Sequence, residues 1–266
     1  MFLLSVHSVM TTINIIAYLG TILGVIMPFL MKVYAYHRKI KYIKNTLCSK
    51  NKNVLITIGV FHAAVVTRAT TYDMVTVNTV KCVKTLVDFC NTVNLNVYLQ
   101  GEYTQADIDE LHIGGPLRNI AVSNLLANFF GSTFRFLMPK EDRHRFDEAP
   151  INDKFIEYTE SELGFSFGAK DNEKKYLSNA KYGDYAIIIR LLRRNKSIHI
   201  LFGGYGLGTV SAVEYFVKHT KELYNFAKDN KRENSNYFFI LHVNNDGKHD
   251  ANIGLTDLTD TVFANS

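Results

Sequence analysis

A chain of 266 residues with 47% apolar composition can bury one sizeable core with an appendage, and is too short for two full domains and a membrane span. Much of the formal net charge of +5 sits in one block, Lys32, Arg38, Lys39, Lys41, Lys44, Lys50 and Lys52; the near-neutral remainder argues against a nucleic-acid-binding surface. Cys48, Cys82 and Cys90 are too few and too irregularly spaced for a disulfide framework, and read as reduced thiols in a cytosolic compartment.

Residues 1–31 contain no Asp, Glu, Lys or Arg, and from Ile13 to Met31 only Asn14 and Thr21 are clearly polar. A helix needs about 20 such residues to cross a bilayer. The basic block follows at once, so the positive-inside rule predicts a transmembrane helix over residues 1–31, N-terminus outside and the rest cytoplasmic, in a single-pass cell-membrane protein. A cleaved signal peptide would carry its Lys or Arg before the apolar run. Gly20 and Gly24 form a small-xxx-small step that lets two helices pack backbone to backbone and predicts a homo-oligomer, although glycine is also common in membrane helices without that role. Pro28 removes one backbone hydrogen bond and predicts a kink near the cytoplasmic end. Residues 32–52 read as a basic juxtamembrane linker, its lysines among anionic lipid headgroups beside Tyr34, Tyr36 and Tyr42.

Residues 53–245 read as a Rossmann-like domain, and residues 246–266 as a polar, peripheral tail. Val54–Gly59 predicts a buried first strand. The stretch Tyr72–Thr92 predicts a helix with Met74, Val77, Val80, Val83, Val87 and Phe89 on its apolar face. Asn96–Gln100 and Leu111–Ile113 follow as strands, then a helix with Val122, Leu125, Leu126 and Phe129 along one side. Between Ser132 and Lys181, aromatic runs such as Phe134–Phe136 and Phe165–Phe167 suggest short strands. Tyr185–Arg190 and Ile198–Phe202 are strands joined by the charged turn Arg193–Lys196. A helix then runs to about Lys228, and Tyr237–Val243 is the last strand. This alternation predicts an α/β fold: one N-terminal transmembrane helix, then a mainly parallel sheet with helices on both faces.

Two glycine-rich strand-to-helix turns carry the strongest chemistry. At Gly114, Gly115 and Asn119, and again at Gly204, Gly206, Gly208 and Thr209, unpaired N–H groups and the helix dipole favour an anion, and glycine lets a ligand approach the main chain. Asn119 would cap its helix or hydrogen-bond a ribose or base, and Thr209 would cap its helix or bind a phosphate oxygen. Glu214 would accept a ribose hydroxyl. Glycines at such turns often serve geometry alone, and neither turn has the G-x-G-x-x-G fingerprint after a first strand. His62 and Arg68 follow the first strand, where either would contact phosphate or a base; His62 reads equally as a hydrogen-bonded structural residue.

Catalytic signals are sparse. Asp184 and Glu214 are the carboxylates open to a glycosidase, and Asp107, Asp109 and Glu110 would supply a general base or form a solvated loop. His112, His199 and His242 fall in separate strands without metal-ligand spacing, so no metal is assigned. No G-x-S-x-G elbow or Cys–His pairing appears, so no catalytic residue is assigned either.

Ile113-Gly-Gly-Pro-Leu-Arg-Asn119, Tyr182-Gly-Asp-Tyr-Ala-Ile-Ile-Ile-Arg190 and Phe202-Gly-Gly-Tyr-Gly-Leu-Gly-Thr-Val-Ser-Ala212 resemble a group of prokaryotic Rossmann-like domains with a GGP-x-x-N turn and a later G-x-G-T-x-x-A turn. The segment Gly203–Glu214 is also similar to the GG-x-GT-x-x-E turn of the SLOG superfamily, interrupted here by Leu207-Gly208 and one extra residue before Glu214. The resemblance implies a nucleotide or cyclic-nucleotide ligand. Similarity to membrane-anchored effectors of bacterial antiviral signalling implies that binding drives membrane-helix association or membrane disruption, with no cofactor and no chemical step. The alternatives are a membrane-tethered nucleotide hydrolase or NAD-type glycosidase, and a partner-binding domain whose glycine turns are empty.

Overall fold

The computed structural model describes residues 2–47, 51–59, 61–65, 70–74, 76–99, 108–116, 119–131, 133–141, 156–168, 173–178, 183–193, 196–244 and 254–263. The chain divides into two units, Met1–Tyr42 and Ile43–Ser266.

The first unit is most of one helix, whose last residues, 43–47, belong to the second unit. Helix α1, Phe2–Leu47, is 46 residues long and contains Pro28. Residues 32–47, expected as a separate linker, continue this helix. From Ile22 to Met31 its large apolar side chains are exposed at successive positions, among them Leu23, Val25, Ile26, Phe29 and Leu30. At 100° per residue such a run faces every direction, so no single stripe is reserved for a soluble core. Among the described residues no helix is long and apolar enough to cross a membrane, so they do not support the transmembrane helix expected over residues 1–31; the side chains of residues 1–10, 12–16 and 19, inside the uncharged run, lie outside that set.

After the end of α1 the second unit continues with β1 (Asn53–Ile58), the hairpin β2 (Phe61–Val65) and β3 (Thr70–Met74), and α2 (Val77–Asn91). Then come β4 (Asn96–Leu99), β5 (Asp109–Ile113), α3 (Ile120–Phe130), β6 (Phe134–Pro139), β7 (Ile156–Thr159), β8 (Leu163–Phe167) and β9 (Lys174–Ser178). The chain closes with β10 (Asp184–Leu192), β11 (Ser197–Gly203), α4 (Gly206–Lys218), α5 (Thr220–Asp229), β12 (Tyr237–Val243), β13 (Thr256–Asp257) and α6 (Thr259–Phe263).

Seven strands form the main sheet in the order β13-β12-β10-β11-β5-β1-β4, and a second sheet has the order β7-β6-β8-β9. The main sheet is mixed rather than mainly parallel. Strands β4, β1, β5 and β11 pair in parallel, whereas β11, β10, β12 and β13 pair antiparallel. The Arg193–Lys196 turn, closed by Arg193 N–H on the Lys196 carbonyl at 2.9 Å, explains the difference. A parallel crossover needs a dozen or more residues, so so short a link forces a hairpin. Strands β10 and β11 nevertheless read as unbroken apolar runs, because both of their faces are covered.

On one face Ile187, Ile189, Ile200, Phe202, Phe238 and Ile240 pack with α3, the second sheet and α6 in a single apolar cluster. Helices α2, α4 and α5 cover the other, with Phe89 against Phe216 at 5.5 Å and Phe226 against Phe239 at 4.9 Å between ring centroids. Helices therefore do lie on both faces.

Three local expectations change. The helix predicted from Tyr72 starts at Val77, after β3, where the Thr76 hydroxyl accepts the Thr79 N–H at 3.1 Å. Its buried side is Cys82, Leu86, Phe89 and Cys90, and Val77 and Val80 are exposed. The helix expected through Lys228 breaks at His219 into α4 and α5. The C-terminal stretch is not peripheral: β13 pairs with β12, and Leu258 and Val262 are buried in the core.

Candidate functional site

Parallel strands β1, β5 and β11 lie side by side with their C-terminal ends together. The chain leaves β1 for α2 on one face and leaves β5 for α3 on the other. Neighbouring strands whose connections diverge in this way open a crevice at their carboxyl ends, the usual ligand position in open α/β sheets. Two hydrogen bonds brace its floor: Gly59 N–H donates to the Ile113 carbonyl at 3.2 Å, and Gly114 N–H to the Leu201 carbonyl at 3.1 Å. Above them is a cavity of about 280 Å³ lined by Gly59, Gly114, Gly115, Gly203, Gly204, Tyr205 and Gly206, by Thr76, Asn78, Thr79 and Cys82 at the start of α2, and by Phe136, Thr209 and Val210. Burial pushes the Cys82 thiol up to about 11, with the Glu214 carboxylate adding to the shift, so it is a neutral wall group. Cys90, buried behind it, is pushed up to about 12 by the same cause. Both are free thiols.

The turn after β11 is organised by a carboxylate. Asp184, 2% exposed at the start of β10, accepts on Oδ2 from the N–H groups of Tyr205 at 2.8 Å and Gly208 at 2.6 Å. Its Oδ1 accepts from the Ser178 hydroxyl at 2.7 Å and its neighbour Tyr185 N–H at 2.8 Å. Burial pushes the carboxyl upward against the pull of these four hydrogen bonds. The positive end of the α4 dipole thus already faces an internal anion. A Cβ at Gly204 would stand 2.8 Å from Asp184 Oδ1, and one at Gly208 2.5 Å from Oδ2, so these two glycines make room for Asp184. Gly203 makes room for Gly208, whose Cα would be 2.4 Å from an added Cβ. Thr209 closes the turn by accepting Gly203 N–H at 3.1 Å. The N–H groups of Gly206 and Leu207 make no hydrogen bond with any described residue.

Asn119 organises the turn after β5. Its Oδ1 accepts from Ala121 and Val122 N–H at 3.1 and 3.4 Å, capping α3, while Nδ2 donates to the Ile113 carbonyl and the Thr57 hydroxyl, each at 3.2 Å. All of its carboxamide valences are spent inside the fold. Thr57 also bonds His112 Nδ1, His112 Nε2 bonds Glu110 at 2.8 Å, and Lys196 bonds the other Glu110 oxygen. Burial works against the Glu110 charge, but the hydrogen bonds and charges of His112 and Lys196 outweigh it and hold the carboxyl at about 2. Hydroxyl, imidazole and carboxylate stand here in the order of a nucleophile, base and orienting group, yet none of the three lines the cavity.

Gly114, Gly115, Gly204, Gly206 and Thr209 are brought together at the cavity wall. Gly208 sits behind it and Asn119 beneath it. Glu214 is on α4 away from the wall, paired with Lys218 at 3.2 Å. His62 is in strand β2, its side chain outside the described set; Arg68 and Asp107 lie wholly outside it. Asp109 and Glu110 begin β5 instead of forming a solvated loop, and Asp109 accepts Ser197 N–H at 2.7 Å. Gly20 and Gly24 are on α1, each open to a distance of 4 Å. Sequence reasoning overlooked Thr76, Asn78, Thr79 and Tyr205; a Thr followed three residues later by Thr, ahead of an apolar-periodic stretch, was the available sign of a helix start.

The fold and cavity define a mixed α/β domain with a crevice at its topological switch point. No family model matches the chain, and no curated protein matches it.

Proposed function

We propose that the protein is a single-pass membrane effector. Its Rossmann-like domain binds a nucleotide or cyclic-nucleotide signal on the cytoplasmic side, and binding drives membrane-helix association or membrane disruption, in the manner of bacterial antiviral effectors. The observation that carries the ligand half is the convergence of both glycine turns on one cavity. Two glycines sharpen it. Gly115 and Gly206 have ordinary backbone angles, and an added Cβ would meet nothing closer than 3.6 and 3.8 Å. The fold does not require glycine at either position, whereas a ligand lying against the main chain would. Asn78, Thr76, Thr79 and the N–H group of Gly206 supply neutral donors and acceptors around it, suited to a ribose, a base edge or a phosphate oxygen.

The membrane half is supported by the uncharged first 31 positions, by the exposure of apolar side chains in every direction between Ile22 and Met31 of α1, and by the lysines that follow, which would meet anionic lipid headgroups.

Titrating the full chain in detergent micelles with a panel of nucleotides and cyclic nucleotides, followed by product analysis, tests the reading. It expects saturable binding and unchanged ligand. Consumption of the ligand would replace it with the tethered hydrolase, and absence of binding across the panel would remove it.

A further inference from the structure

Residues 184, 186, 188 and 190 of β10 share one face of the strand, and each end of this row holds an element outside the sheet. At one end Asp184 holds the turn that opens α4, through Tyr205 and Gly208. At the other, Arg190, 1% exposed, donates from Nη1 to the Thr46 carbonyl at 3.4 Å and from Nε to the Ser235 carbonyl at 3.1 Å. Its guanidinium lies 4.3 Å from the centroid of the Tyr237 ring. His199, the partner of Arg190 across the hairpin, donates from Nε2 to the same Thr46 oxygen at 3.2 Å. Burial pushes His199 down to about 3, so its ring is neutral and one N–H is committed to that bond.

Thr46 belongs to the last turn of α1, where carbonyls have no partner within the helix and the dipole favours a cation. Ile43 and Leu47 beside it are buried. The Thr46 hydroxyl donates to the Thr220 carbonyl at 3.4 Å, just past the C-terminal end of α4. Helix α4, 13 residues and thus roughly 20 Å long, is therefore pinned at both ends. One end is the cavity wall, and the other is the foot of α1.

We propose that α4, with β10 beside it, is a strut that couples the cavity to the last turn of α1, so that a shift of the Gly203–Gly208 turn loosens or tightens the grip on Thr46. As a route for a ligand signal this rests on the binding reading above. Coupling between two sites is reciprocal, however, so the strut is testable without any ligand.

The test is hydrogen exchange on the full chain in detergent micelles. Asp184→Asn weakens the grip at the cavity end and is expected to speed exchange at residues 43–47 by about threefold or more relative to β12. Thr46→Val cuts only the link to Thr220 and is expected to speed exchange at residues 205–209. Leu126→Ala, in α3 on the opposite face, destabilises the core generally and should leave both segments unchanged relative to β12. Equal effects of Asp184→Asn and Leu126→Ala at residues 43–47 would overturn the strut. Should Asp184→Asn fail to fold, Thr46→Val decides alone, and unchanged exchange at 205–209 overturns it. A chain that shows the reciprocal changes but binds no nucleotide keeps the strut and loses the ligand reading.

Discussion

The two glycine turns meet at one cavity from neighbouring strands, and they are held in opposite ways. The turn after β5 is closed locally, by an asparagine at its own end that caps α3 and ties back to Ile113 and Thr57. The turn after β11 is closed from a distance, by a carboxylate 21 residues before Tyr205 in the chain that enters between Gly204 and Gly208. Locally closed turns depend on their own residues. A turn closed by a distant strand also reports on what that strand holds elsewhere, and β10 holds the foot of α1 at its other end.

Removing Asp184 should do the most damage. Asp184→Ala leaves the Tyr205 and Gly208 N–H groups and the Ser178 hydroxyl without their acceptor, at an expected cost of about 3 kcal/mol or more by denaturant unfolding. Gly208→Ala should cost about 1–3 kcal/mol, because a methyl would be driven into Asp184 Oδ2 and the Tyr185 carbonyl. Asn119→Ala, the matching lesion in the local turn, should cost about 1–2 kcal/mol for the lost cap and leave exchange at residues 43–47 as it was. A loss from Asn119→Ala larger than that from Asp184→Ala would break the contrast.

Acid should separate the turns by sign. Glu110, which supports the first turn through His112 and Thr57, has its carboxyl lowered from 4.5 to about 2. Its contribution to stability is full above pH 4.5 and is lost as the pH falls to about 2. The Asp184 carboxyl is shifted upward, so the folded state takes up its proton first and acidification favours folding at that site. Unfolding midpoints measured against pH should therefore lose an acid-labile component in Glu110→Gln and gain acid lability in Asp184→Asn. The smallest effect belongs to Gly206→Ala: stability within about 0.5 kcal/mol of the parent, with weakened ligand binding.

Much of this fold was readable from residues whose pattern is local. The strands β1, β10, β11 and β12 announce themselves as short apolar runs, and both glycine turns stand at strand ends where ligands bind. What escaped was set by distance. In the sequence Asp184 reads as a carboxylate open to a glycosidase, and its part in the turn shows only when Tyr205 and Gly208 are seen to donate to it. The roles of Gly203, Gly204 and Gly208 in packing, against the unforced Gly115 and Gly206, follow from atoms that are remote in sequence. The antiparallel half of the sheet was legible in the brevity of Arg193–Lys196, but the two-sided burial of β10 and β11 gave them the look of parallel strands. The polar tail hid Leu258 and Val262, whose spacing of four residues places both on the core.

We propose the cavity between the two glycine turns as the seat of a nucleotide-type ligand. Calorimetric titration of the full chain in micelles with the nucleotide panel, repeated on Gly206→Val, tests it most directly. Saturable binding is expected, weakened at least tenfold by Gly206→Val, about 1.4 kcal/mol, with an unchanged melting temperature. Binding of equal strength in both proteins, or none in either, would contradict it.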